Sequence, residues 1–217
     1  MSVVGVIAAG GSGERLGAGE PKAFVALAGR PMLQWSLEVL RAACDRVVVA
    51  VPAELVEGRP ERVAGGSSRS ASVRNALGSE AAADAAFVVV HDAARPLVEV
   101  ELVERCISAL DDADGAVAAA PVTDTVKQAD ASLRVTSTLD RSELWAIQTP
   151  QAFRAAALRD ALDVDDATLA AATDDAGLVE RAGGSVVVVP APPENLKVTT
   201  ALDLAVAELA LRRRAAC

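Results

Sequence analysis

Histidine, tyrosine and lysine are nearly missing from this chain, and each shortage excludes something. The single histidine, His91, excludes a zinc site built on several imidazoles. Three phenylalanines, two tryptophans and no tyrosine leave little material for stacking nucleic-acid bases. The three cysteines, Cys44, Cys106 and Cys217, have no metal-ligand spacing and are odd in number. Free thiols in a cytoplasmic protein are expected from that usage. No apolar run approaches the roughly 20 residues of a membrane helix, and no basic segment of a secretory signal precedes the first apolar run. Positive charge is also short: 21 Lys and Arg stand against 30 Asp and Glu, a net charge of −9. That balance opposes general nucleic-acid binding.

The remaining composition fits one α/β domain. Hydrophobic residues make up 52% of 217 residues and fall in short blocks, enough for a real core. One domain over 1–217 is expected, with no internal repeat and no interdomain linker. Only Lys22, Lys127 and Lys197 are lysine among the 21 cations. A chain so biased to arginine is expected to keep lysine where a compact ammonium is needed.

The chain is organised around residues 3–24, VVGVIAAGGSGERLGAGEPKAF. The apolar run Val3 to Ala8 reads as a buried parallel strand. It empties into Ala9, Gly10, Gly11, Ser12 and Gly13, where glycines let the backbone approach a ligand and aim N–H groups at anionic oxygens. Arg15 and Lys22 bring a planar fork and a point charge to the same loop, a combination suited to a triphosphate. Two familiar phosphate motifs do not fit. Leu16 stands where a dinucleotide fingerprint needs its third glycine, Pro21-Lys22 interrupts the helix, and no Gly-Lys pair forms a P-loop.

Further along, residues 32–40 carry an apolar helical face, and Arg46 to Val51 reads as a second strand. The stretch 63–77, VAGGSSRSASVRNAL, reads as a Gly65-Gly66 turn and a helix capped by Ser68 or Ser70. Ser67, Ser72 and Arg69 at its start form a candidate anion or base-edge site. Ala85 to Val90 is a third buried strand, ending in His91-Asp92-Ala93-Ala94-Arg95-Pro96. Ligands of open α/β sheets bind beyond such carboxyl ends. Asp92 there suits Mg²⁺, which takes one or two protein oxygens and the rest from phosphate and water. The competing reading, a helix N-cap, is weaker because Pro96 and Glu99 lie nearer the next helix. For His91 a structural role stands beside a catalytic one.

Gly115 to Val122 reads as a strand, and 121–143 as a β-hairpin arm projecting from the body, which invites a second copy to cover it. Leu144 to Ile147 is a short strand and Ala155 to Leu162 a helix. Residues 164–173 are expected to be mobile, and Asp174 and Asp175 to cap a helix over 176–181. A strand over 186–189 and a last helix over 201–213 complete the chain.

Seven pieces in order then resemble one family along nearly the whole chain, the 2-C-methyl-D-erythritol 4-phosphate cytidylyltransferases. They are AAGGSGERLGAGEPKAF, GGSSRSASV, HDAARP, PVTDTVK, DR followed by QTPQAF, TDDA, and NLKVTT. The resemblance implies a Rossmann-like nucleotidyltransferase fold: a mostly parallel twisted sheet, helices on both faces, and the projecting β-hairpin arm. It implies transfer of CMP from CTP to a sugar-alcohol phosphate in non-mevalonate isoprenoid synthesis, with Mg²⁺ as cofactor. Residues Ala9, Gly10, Gly11, Ser12 and Gly13 would wrap the nucleotide, and Gly66, Ser67 and Ser72 would face cytosine. Arg15 and Lys22 would hold the triphosphate and Asp92, beside Ala93, the metal. Arg95, Thr149 and Lys197 would line the cleft. Thr125 and Arg141 would reach the sugar phosphate of a neighbouring subunit, since the family is homodimeric through the arm. The family pattern has proline where Ala8 stands, alanine where Gly10 stands, and often glutamine where Ala23 stands.

The chemistry expected is attack of an ionised phosphate monoester on the α-phosphorus of CTP, needing no general base. Three rivals remain at this point: a D-ribitol 5-phosphate cytidylyltransferase of the same fold, a nicotinamide-dependent oxidoreductase, and a non-catalytic nucleotide-binding module.

Overall fold

The computed structural model describes residues 1–11, 13 and 19–215. Strand alternation decides its layers. Along β1 (Val3–Ala8), Val4 and Val6 point to one face and Ile7 to the other. The same alternation repeats in β4 (Arg46–Val51) and β6 (Phe87–Asp92), whose valines divide between two cores. A strand apolar on both faces must be covered on both, and helices do the covering.

On one face lie α2 (Arg69–Leu77), α4 (Ala155–Leu162), α5 (Asp166–Ala171) and α6 (Ala176–Arg181). They contribute Val73, Leu158, Leu169 and Leu178 to a core built on Val4, Val88 and Phe153. On the other face, α1 (Met32–Ala43) and α3 (Val100–Ser108) bring Leu33, Leu40, Leu102 and Cys106 against Ile7, Val49 and Val89. A smaller third core forms where α7 (Ala201–Ala215) meets Met32 and Leu97, next to the short hairpin of β2 (Ala26–Leu27) and β3 (Arg30–Pro31).

The sheet is completed by β5 (Arg62–Ala64), β7 (Gly115–Pro121), β10 (Trp145–Arg154) and β11 (Val186–Pro190). Its order is β11-β7-β10-β6-β1-β4-β5. All pairings are parallel except those of β10, which runs antiparallel between β6 and β7. The expected mostly parallel sheet with helices on both faces is therefore present. So is the hairpin: β8 (Lys127–Ala129) pairs with β9 (Val135–Thr138) as a separate two-stranded sheet.

Two readings need correction. The short strand over 144–147 continues to Arg154, so the polar QTPQ stretch lies inside a buried strand. Its pairing with β7 shifts register between Ile147 and Gln151, and beyond the shift Gln151 to Phe153 pair with Val90 to Val88. Proline and glutamine mask a strand in the apolar pattern, and the irregularity at Pro150 is what accommodates them. The Asp/Ala-rich segment 164–173, to which the sequence reading gave no element, holds helix α5. Asp165 caps it, accepting from the Thr168 N–H at 2.9 Å, and Leu169 is buried.

Candidate active site

The strand order reverses direction at β1, which lies between β6 and β4, and in such sheets the crevice at the reversal is where ligands bind. Ala8 stands in register with Asp92, so the glycine loop and the acidic strand end are neighbours. The Ala93 N–H donates to the Ala8 carbonyl and the Ala9 N–H to that of Ala50. The Lys22 N–H donates to the Gly11 carbonyl at 3.0 Å and folds the lysine back over the loop. At Gly13 φ is +75°, a conformation glycine adopts without penalty.

The second wall comes from the end of β5. Ser68 caps α2, its Oγ accepting from the Ala71 N–H at 3.1 Å. Ser72 Oγ donates to the Ser68 carbonyl at 2.8 Å and accepts from the Gly66 N–H at 3.0 Å. Ser72 thereby fixes the orientation of the Gly66 peptide. A Cβ at Gly66 would stand 2.6 Å from that of Ala71, so glycine is required there by space.

These pieces enclose a cavity of about 820 Å³, large enough for a nucleotide. Ala9, Gly10, Gly11, Gly13 and Lys22 line it from the first loop, and Gly66, Ser67 and Ser72 from the second. Asp92 and Ala93 line it from β6 and Lys197 from the loop before α7. These predicted site residues are brought together from four separate parts of the chain. Ser12 and Arg15 lie outside the described residues.

Four predicted residues fall elsewhere. Arg95 and Thr149 are buried and do not line the cavity, contrary to the expectation that they would. Buried polar groups at the strand ends need partners, and these two supply them. The Asp92 N–H donates to Thr149 Oγ1 at 3.0 Å, and Thr149 Oγ1 lies 3.1 Å from His91 Nδ1. His91 Nε2 faces the Arg95 carbonyl at 3.2 Å, so that nitrogen carries the proton and Nδ1 accepts from the Thr149 hydroxyl. Burial pushes the His91 pKa down to about 4, against the pull of Asp92. His91 is a neutral structural group. Arg95 Nη1 donates to the Asn195 carbonyl at 2.7 Å, tying down the loop that carries Lys197. Thr125 and Arg141 sit on and beside the exposed arm, away from the cavity, and Arg141 donates to the Thr123 carbonyl.

Asp92 is the electrostatic centre. Its Oδ1 accepts from Arg69 Nε at 2.8 Å and its Oδ2 pairs with Lys197 Nζ at 2.7 Å. Burial alone would raise its pKa, but Arg69 and Lys197 hold it well below the usual carboxylate range. Arg69 also donates through Nη1 to Asp175 Oδ2 at 2.6 Å. Burial opposes the Arg69 charge, and the carboxylates of Asp175 and Asp92 overcome that and raise its pKa. Asp175 is thus a partner of Arg69 and makes no side-chain cap, whereas Asp174 does cap, accepting from the Gly177 N–H at 2.9 Å. Arg69 was legible as a cation near the site; its pairing with Asp175 was not. Asn195 entered the sequence reading only as the first residue of NLKVTT, with no role assigned.

Among the described residues no group of three or more His, Cys, Asp or Glu gathers to form a metal cage. Asp92 fits the remaining possibility, an ionised hard oxygen donor in a phosphate-sized cavity whose other ligands come from phosphate and water.

The model of the 2-C-methyl-D-erythritol 4-phosphate cytidylyltransferase family matches residues 3–213. This chain belongs to that family. A cytidylyltransferase of this name from Nocardia farcinica is 47% identical over 99% of this chain and 96% of its own length. One from Rhodococcus jostii is 47% identical over 94% of this chain and 93% of its own. The crystal structure of the cytidylyltransferase from Thermus thermophilus superposes with a TM-score of 0.82 at 33% identity, covering 98% of this chain and all of that one. The family match excludes the oxidoreductase and leaves the ribitol phosphate reading without support.

Proposed function

We propose that this chain is the enzyme that transfers CMP from CTP to 2-C-methyl-D-erythritol 4-phosphate. The products are 4-diphosphocytidyl-2-C-methyl-D-erythritol and diphosphate, in non-mevalonate isoprenoid synthesis. The observation that carries this reading is the family match over residues 3–213, the span that contains the whole cavity.

Nucleophile and electrophile are both anionic, so the protein must screen charge and align the groups. A monoester oxygen of the sugar phosphate bonds to the α-phosphorus, the bond to the β-phosphate oxygen breaks, and diphosphate departs with the electron pair. The attacking oxygen is already ionised, in keeping with a cavity lined by no histidine. Backbone N–H groups of Gly10, Gly11 and Gly13 hold the phosphates, the Ala9 N–H being taken by the Ala50 carbonyl, and Lys22, with Arg15, stabilises charge on the departing diphosphate. The Gly66 peptide, Ser67 and Ser72 hold the cytosine and ribose. Lys197 turns from Asp92 to the phosphates when substrate enters. Asp92 holds Mg²⁺, which when bound supplies charge neutralisation and Lewis acidity at phosphate oxygens.

We read the arm as a dimer contact. Leu133 and Val135 on the hairpin are 87% and 61% exposed, and Trp145 and Ile147 continue the apolar surface along the outer half of β10. A second copy would cover this surface and bring Thr125 and Arg141 to the partner's cavity. Sedimentation should show a dimer for the wild type and a monomer for Leu133→Asp with Val135→Asp. We place the enzyme in the cytoplasm, on the buried free thiols Cys44 and Cys106; no helix among the described residues is long and apolar enough to cross a membrane.

Diphosphate release with CTP and Mg²⁺ tests the function. Release with methylerythritol phosphate and none with D-ribitol 5-phosphate is expected. Release with ribitol phosphate alone would overturn the substrate, and CTP binding without release from either would favour a non-catalytic module.

A further inference from the structure

Asp92 has two oxygens in two different situations. Oδ1 is held by Arg69, whose side chain is 25% exposed and whose far nitrogen is clamped by the fully buried Asp175. Oδ2 is held by Lys197, whose side chain is 46% exposed. The two partners are not equally free to leave. Removing Arg69 from Asp92 would strain its bond to Asp175, a carboxylate whose other oxygen, Oδ1, is already buried and unsatisfied. A buried carboxylate stripped of its cation is strongly unfavourable. Lys197 gives up a half-solvated contact on a flexible stem and is rehydrated or meets a phosphate when it moves.

We propose that Asp175, 106 residues from Arg69 in sequence, is a positioning residue that locks Arg69 onto Asp92 Oδ1 and so presents Oδ2 as the single oxygen offered to the divalent cation, in exchange for Lys197. The inference rests on the reading of Asp92 as the Mg²⁺ carboxylate. Its logic is that of outer groups that orient a metal ligand: they fix which lone pair faces the metal, and their loss weakens metal binding without removing a ligand. It also gives the buried aspartate of the TDDA stretch a purpose distinct from helix capping, which its neighbour Asp174 performs.

The test reads binding. CTP affinity is measured by calorimetry in EDTA and in Mg²⁺, and the ratio of the two dissociation constants is taken for wild type, Asp92→Asn and Asp175→Asn. Asp175→Asn keeps the size of the side chain and an oxygen for Arg69 but removes the charge. The Mg²⁺-dependent gain in affinity should vanish in Asp92→Asn and fall roughly 10-fold or more in Asp175→Asn, with the EDTA value little changed. A gain lost in Asp92→Asn but intact in Asp175→Asn would overturn the inference and leave the metal reading standing. A gain intact in both, or absent from wild type, would remove the metal reading and this inference with it. Weakening of both affinities by the same factor in Asp175→Asn would show a merely structural role and equally overturn it. If Asp175→Asn does not fold, Arg69→Lys gives the same ratio, because one ammonium cannot bridge both carboxylates in the fork geometry of arginine.

Discussion

Lys197 Nζ lies 2.7 Å from Asp92 Oδ2, yet the two side chains reach the cavity on supports of different kinds. Asp92 ends a central strand, whereas Lys197 rides on the loop between β11 and α7. A buried asparagine holds that loop in place. Asn195 Nδ2 donates to Gln148 Oε1 at 2.8 Å and to the Thr149 carbonyl at 2.9 Å, and its own carbonyl accepts from Arg95. The lysine is thereby tied to β10 through Asn195.

Asn195→Ala should therefore hurt twice. It leaves Gln148 Oε1 and the Thr149 carbonyl without this donor, at a cost of about 1–3 kcal/mol of stability. It also frees the loop, so kcat should fall while the Mg²⁺-free affinity for CTP changes little. Urea denaturation and steady-state kinetics check the two parts, and unchanged kcat in a destabilised variant would show that the loop holds Lys197 without Asn195.

Lys22→Ala should lower kcat roughly 100-fold or more, as loss of one preorganised donor to a developing oxyanion does. Lys22 lines the cavity and its N–H is bonded to the glycine loop, so its ammonium starts from a fixed base. Turnover within a few-fold of wild type would remove it from the transition state.

The fold was legible because both-face valine runs, glycine-rich strand ends and amphipathic helices all agree, and the structure uses each as written. Lys22, Gly66, Ser72 and Asp92 were legible because strand ends in such sheets are where ligands bind. What could not be read is pairing at long range. Arg95 and Thr149 look like cleft residues in sequence and turn out to be buried braces, since nothing local shows that Asn195 and His91 will face them. Asp174 and Asp175 are adjacent and identical in type, yet one caps a helix and the other meets Arg69, 106 residues away. Strand β10 was half hidden because its buried polar residues are satisfied by partners distant in the chain.

The cysteines give a prediction in pH. Burial pushes the thiols of Cys44 and Cys106 up to about 12, Cys44 further raised by Asp45. Alkylation proceeds through the thiolate, so at pH 8 both should stay unmodified in the native protein. Raising the pH to 9, enough to activate an ordinary thiol, should not expose them. Iodoacetamide labelling followed by peptide mass spectrometry should find both modified in urea only; native labelling of Cys106, which is 0% exposed, would mean that α3 opens readily.

Gly66→Ala tests the second wall of the cavity. The added methyl would stand 2.6 Å from Ala71 Cβ and 2.8 Å from the Ala71 carbonyl carbon, both on the first turn of α2. Neither can swing aside as a flexible side-chain end could, so the turn around Ser68 must shift. That shift would pull the Gly66 N–H from Ser72 Oγ and spoil the wall proposed to face cytosine. Overpacking of this kind costs about 1–3 kcal/mol of stability. CTP should bind at least 10-fold more weakly to Gly66→Ala, with the loss carried by the nucleoside: cytidine should lose as much affinity as CTP. Equal affinity for both ligands in variant and wild type would place the cytosine elsewhere. A loss confined to CTP would assign this turn to the phosphates, which are expected against the glycine loop, Arg15, Lys22 and Lys197 instead.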